Sequence, residues 1–185
     1  MIYTAIPTKF EAQSGTSNYT KLTPGKHRLR VLGDAISGWE WWSDTPEGGR
    51  TPKRIREDEN PPVALADQVK KFLAFPVWNY ALGRVQVLEV AQPSIQRELI
   101  ALEKDKDWGD LQTYDIEIDR TGVDKMTTRY RVTPKPVKEL PLEVVAAVEA
   151  GLPVLEALFE SQDPFNYNSN APKGNEEVKE SDLPF

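Results

Sequence analysis

Short runs in which apolar and polar residues alternate with period two, separated by glycine and proline, dominate the middle of this chain and restrict it to a β-rich fold. Lys26 to Val31 alternates strictly, which puts Leu29 and Val31 on one face and Lys26, Arg28 and Arg30 on the other. Ile36 to Trp42 continues as extended chain with Trp39 and Trp41 on a common side. Lys70 to Tyr80 and Arg84 to Val90 read as two more strands around a turn at Leu82-Gly83, with Pro76 marking an edge or a bulge. Tyr114, Ile116 and Ile118 alternate with Asp115, Glu117 and Asp119. Tyr130 and Val132 alternate with Arg129 and Arg131, and Gly122 between the two runs predicts a hairpin.

Two segments carry a helical period instead. Pro93 at a first helical position precedes Ile95, Leu99 and Leu102, predicting one amphipathic helix that ends near Asp105. Val145, Val148, Leu152, Leu155 and Phe159 recur at spacings of three and four, predicting two short helices split at Gly151-Leu152-Pro153. An all-β core of about five strands with one inserted helix and a C-terminal helical segment suggests a small closed β-barrel of the oligonucleotide-binding (OB) type; a plain antiparallel sheet is the alternative.

The expected organisation is an N-terminal arm over residues 1–25, the barrel over 26–140, a helical segment packed on it over 141–160, and a disordered acidic tail over 161–185. From Ser161 the tail has five acids and two bases with few apolar residues, so burial cannot offset its ordering entropy. Its tip, Asp182-Leu183-Pro184-Phe185, suits a partner pocket that is apolar inside and basic at the rim. Residues 43–62, with proline and glycine clusters and four cations, read as a long exposed basic loop.

Composition excludes several classes of function. With no cysteine and one histidine, His27, the chain has neither a disulfide framework nor a thiolate or imidazole metal centre. No apolar run approaches the ~18 to 20 residues that span a bilayer, so a soluble protein without a membrane role is expected. The net charge of -6 is unevenly spread. Residues 1–85 carry 12 bases and 9 acids, residues 86–160 carry 9 and 15, and local field rather than total charge decides phosphate binding.

Three tryptophans within four positions, Trp39, Trp41 and Trp42, lie beside a basic strand and ahead of the basic loop. Single-stranded nucleic acid requires flat apolar faces for its bases and cations for its phosphates. Parity sends Leu73, Phe75 and Val77 to one side of their strand and Phe72, Trp78 and Tyr80 to the other. Expected base-stacking residues are therefore Trp39, Trp41, Phe72, Trp78 and Tyr80. Expected phosphate contacts are Lys26, Arg28, Arg30, Arg50, Lys53, Arg54, Arg56, Lys70 and Lys71. Asp115, Glu117 and Asp119 share a strand face and could hold magnesium for nuclease chemistry, but Arg129 and Arg131 on the partner strand explain them as cross-strand ion pairs. No catalytic machinery, cofactor or metal site is expected.

Thr20-Lys21-Leu22-Thr23-Pro24-Gly25, Arg28-Leu29-Arg30-Val31-Leu32, Gly38-Trp39-Glu40-Trp41-Trp42, Phe75-Pro76-Val77-Trp78-Asn79-Tyr80, Val87-Leu88-Glu89-Val90, Asp107-Trp108-Gly109-Asp110 and Tyr114-Asp115-Ile116 occur in that order. Across residues 20 to 137 the chain resembles the single-stranded DNA-binding proteins of tailed bacteriophages. The resemblance implies an OB fold, a basic aromatic cleft for single-stranded DNA, and a non-catalytic role in phage replication, recombination and repair in the host cytoplasm, with possible self-association on DNA. The structural zinc of some members is excluded here by the lack of cysteine. Asp182-Leu183-Pro184-Phe185 separately resembles the acidic tip with which bacterial single-stranded DNA-binding proteins recruit replication and repair enzymes. A protein-interaction adaptor that makes no contact with DNA is the competing expectation, and sealed indoles at Trp39, Trp41 and Trp78 would favour it.

Overall fold

The computed structural model describes residues 17–169. The expected tip at Asp182, Leu183, Pro184 and Phe185 lies outside the described residues, as do residues 1–16. Seven strands form one antiparallel sheet: β1 (Gly25–Val31), β2 (Ile36–Asp44), β3 (Arg50–Arg56), β4 (Lys70–Asn79), β5 (Arg84–Val90), β6 (Asp115–Thr121) and β7 (Arg129–Pro134). Helix α1 (Pro93–Lys104) joins β5 to β6, and helix α2 (Leu142–Ala150) is followed by a 3-10 turn over Leu155–Glu160.

Strand β4 is the pivot. Its first half pairs with β2, from Ile36 opposite Ala74 to Glu40 opposite Lys70, and its second half with β1, from Leu29 opposite Asn79 to Val31 opposite Val77. Its other edge is taken by β5. Strand β1 in turn pairs with β6, and β6 with β7. Among the described residues no ladder joins β5 to β7, so the sheet curls without closing, which corrects the expected closed barrel.

The sheet buries apolar side chains on both faces. One side gathers Leu29, Val31, Phe75, Val77, Ile116 and Ile118 with Ile95 and Leu99 of α1. The opposite side of β4 and β5 gathers Phe72, Ala74 and Val87 under Leu155, Leu158, Phe159 and Phe165. Burial of whole aliphatic and aromatic side chains, at roughly 25 cal/mol per Å² of apolar area, makes these two clusters the main stabilising term. Among the described residues no helix is long and apolar enough to cross a membrane.

Three segment readings change. The expected loop over 43–62 contains β3, which forms a hairpin with β2 from Gly38 opposite Arg56 to Asp44 opposite Arg50. Gly48, at φ +84°, provides the turn, and Pro52 is tolerated because β3 is an edge strand that leaves one side of its backbone unpaired. The arm assigned to 1–25 is docked over its last residues: Thr20 N donates to Val87 O at 2.9 Å and Val87 N donates to Asn18 O at 2.8 Å. The first residues of the segment assigned to the tail from 161 are packed instead, since Val154 N donates to Pro164 O at 2.9 Å and Phe165 packs into the second cluster.

Candidate nucleic-acid interface

Directly opposed residues of an antiparallel ladder point to the same side. Trp39 is opposite Ile55 on β3 and Lys71 on β4, and Trp41 is opposite Lys53, so both indoles share one face with two lysines. Both are half-buried. The Lys71 ammonium lies 5.3 Å from the Trp39 ring centroid and also pairs with Glu57. Lys71 and the Ser37 hydroxyl hold the Glu57 carboxyl below its usual range, and Trp39 Nε1 donates to Glu57 O at 3.3 Å, which fixes the indole edge. Lys53 and Lys70 form no ion pair among the described residues.

This platform borders a groove of about 810 Å³ at the place where β5 and β7 fail to join. Lys70, Lys71, Arg120 and Lys125 line it with one acid, Asp124, and Tyr130 contributes an aromatic wall. Four cations against one carboxylate make it a local positive field on a chain of net negative charge. Arg120, Lys125 and Tyr130 were not expected from the sequence. Their signal is a pair of bases flanking Gly122, which is indistinguishable from a solvated turn until the hairpin is folded against α1.

The opposite face of the β2–β3 hairpin is structural. Arg54 is buried, its guanidinium 2.8 Å from Glu89 and 3.9 Å from Glu40, and it lies over the Phe72 ring. Burial first, then a hydrogen bond with Glu89, pushes the Glu40 carboxyl up to about 7. Arg54 therefore serves two internal carboxylates, which overturns its assignment to phosphate.

Other expected contacts are corrected in the same way. Phe72 is 1% exposed and Trp78 5%, so neither can stack on a base. Both lie on the face of β4 opposite Lys71 and Trp39, and Leu155, Leu158 and Phe159 pack over Phe72. Arg30 is 4% exposed and donates to Asp115 at 3.1 Å and to Gln112 O at 3.1 Å, so it is not a phosphate ligand. Arg28 donates twice to Asp115, at 2.9 and 2.8 Å, and stacks over Tyr80, whose hydroxyl also donates to Asp115. Burial and this carboxylate push the Tyr80 phenol up to about 12. Tyr80 is thus held in a structural cluster away from the Trp39–Trp41 face. Lys26, Arg50 and Arg56 stay on the surface, each beside one acid as Lys71 is: Lys26 with Glu117 at 3.4 Å, Arg50 with Asp44 at 3.3 Å, and Arg56 with Glu156 while lying 4.7 Å from the Phe159 centroid, and these exposed pairs do not overturn their assignment to phosphate. Two of the three acids of β6 are paired, Asp115 with Arg28 and Arg30 and Glu117 with Lys26 and Lys135, which corrects the expected cross-strand pairs with Arg129 and Arg131.

No family model, no curated protein and no solved structure matches this chain. The functional reading therefore rests on the geometry of the groove and its platform.

Proposed function

We propose that the protein binds single-stranded DNA without sequence preference along the Trp39–Trp41 face and the adjoining groove. The observation that carries the reading is the juxtaposition of two half-buried indoles on one strand face with Lys71 and Lys53 directly across the ladder. Indole faces stack on any base, at ~1 to 3 kcal/mol per base, while the lysines neutralise phosphates. The groove extends this path with three further cations, Lys70, Arg120 and Lys125, and with Tyr130. The strand order β5-β4-β1-β6-β7, with α1 between β5 and β6, supports an OB-type core whose last seam is open. In such a core the β2–β3 and β6–β7 hairpins flank the nucleic-acid cleft. A phage-type role in replication, recombination and repair, with the tip at Asp182 to Phe185 recruiting partner enzymes, is part of the same proposal. Near-complete burial of Trp39, Trp41 and Trp78 would favour the adaptor reading, and of the three only Trp78 is so buried.

Titration of full-length protein with oligo-dT, oligo-rU and duplex at two salt concentrations tests this directly. Oligo-dT is expected to quench tryptophan fluorescence, with log K falling by about 0.7 per neutralised phosphate per log unit of salt. Salt-insensitive binding with unchanged fluorescence would remove the proposal.

A further inference from the structure

The turn joining β6 to β7 is built unlike an ordinary solvated loop. Asp124 Oδ1 accepts from Met126 N at 2.9 Å, Thr127 N at 2.8 Å and Thr127 Oγ1 at 2.9 Å. Thr127 Oγ1 accepts in turn from Val123 N at 3.2 Å, and Arg129 Nη1 donates to Met126 O at 2.9 Å and Thr128 O at 2.8 Å. Gly122, at φ +93°, brings the returning chain so close that a Cβ there would lie 2.4 Å from Thr127 O. The polar groups of the turn are thus bonded to one another, and the amide and hydroxyl of Thr127 hold the Asp124 carboxyl below its usual range.

Two apolar side chains are left pointing outward on this rigid support, Val123 at 95% exposure and Met126 at 85%. A single exposed apolar residue is ordinary. Two of them, three positions apart on an internally braced turn, stand on either side of Asp124 and Lys125, which line the cationic groove, while Val123 and Met126 themselves project outside that lining. Lys71 lines the same groove and lies against Trp39, so the turn and the indole platform border one path.

We infer that the β6–β7 turn is a base-unstacking wedge, with Val123 and Met126 inserting between neighbouring bases of a strand held in the groove while Lys125 meets the flanking phosphate. Apolar wedges of this kind separate base steps because the lost stacking is replaced by contact with the side chain. The inference rests on the single-stranded DNA reading and adds a second aromatic-independent contact to it. It also assigns a substrate consequence: stacked purine runs are opened on binding rather than bound as they stand.

The test uses full-length protein and an oligonucleotide carrying two adjacent 2-aminopurines within a purine run, whose fluorescence rises when they unstack. Wild-type protein is expected to raise that signal on binding. The double variant Val123→Ser/Met126→Ser is expected to lose the rise and to bind the purine run about fivefold more weakly, while oligo-dT still quenches its tryptophans. The apolar double variant Val123→Ile/Met126→Leu should restore the rise, which a general loss of structure would not allow. An undiminished rise and affinity in the serine variant would overturn the wedge. Failure of wild-type protein to bind oligo-dT would instead overturn the underlying reading.

Discussion

Arg30 and Asp115 form a buried ion pair, Nη1 to Oδ1 at 3.1 Å, across adjacent strands β1 and β6. Asp115 also takes two bonds from Arg28 and one from Tyr80, so a single carboxylate ties β1, β6 and the end of β4 together. Asp115→Ala would leave the Arg30 charge buried without its counterion. A loss of about 3 to 5 kcal/mol in urea unfolding is expected, with Arg28→Ala, whose head is more exposed, costing less.

The Glu40 carboxyl gives the fold a pH dependence of definite sign. Its folded value of about 7 lies above the ordinary 4.5, so between those values the native state holds a proton that the unfolded chain releases. The contribution is fully present below about 4.5 and is lost as pH rises through about 7. Glu40→Gln should flatten the decline in stability between pH 5 and pH 8, measured by urea midpoint at each pH. An unchanged slope would show that Glu40 ionises freely at neutral pH.

The tryptophans should divide into two kinds. Trp39→Ala and Trp41→Ala are expected to weaken oligo-dT binding by about 1 to 3 kcal/mol each with little effect on the unfolding midpoint. Trp78→Ala, at a buried site, is expected to cost about 3 to 5 kcal/mol of stability. Trp78→Phe keeps most of the packing and should bind oligo-dT like wild type. Loss of affinity in Trp78→Phe would return that residue to the interface.

Gly38 lies where β2 runs between β3 and the C-terminal 3-10 turn. A Cβ there would sit 2.2 Å from Ile55 O and 2.9 Å from the Phe159 ring, and the carbonyl is backbone that cannot yield cheaply. Gly38→Ala is expected to destabilise by about 1 to 3 kcal/mol through overpacking and to displace the neighbouring Trp39. Comparison of thermal unfolding with the intrinsic emission maximum would register both effects.

Much of the sheet was legible from alternation alone, because burial on one face imposes a period of two whatever the rest of the chain does. Leu29 and Val31 point to one core cluster and Ile95, Leu99 and Leu102 seat α1, as their spacing predicts. Strand β3 was not legible, since Arg50 to Arg56 has the cations and proline of a loop and becomes a strand only because β2 offers it an edge. The same limit separated the expected site residues. Arg54 and Lys53 are adjacent in sequence and read alike, yet parity turns Arg54 to buried Glu40 and Glu89 and leaves Lys53 opposite Trp41.

The amino-acid sequence by itself determined the element types outside β3, the faces of β1 and α1, the absence of thiolate chemistry, and the clustering of indoles with bases. Which indoles and bases stay accessible was decided only by tertiary structure. Accessibility depends on what distant segments cover: residues 155–165 seal Phe72, and Asp115, 85 positions from Arg30, neutralises that arginine. Local periodicity assigns a side chain to a face, but solvent and partner reach it only if the rest of the chain leaves that face open.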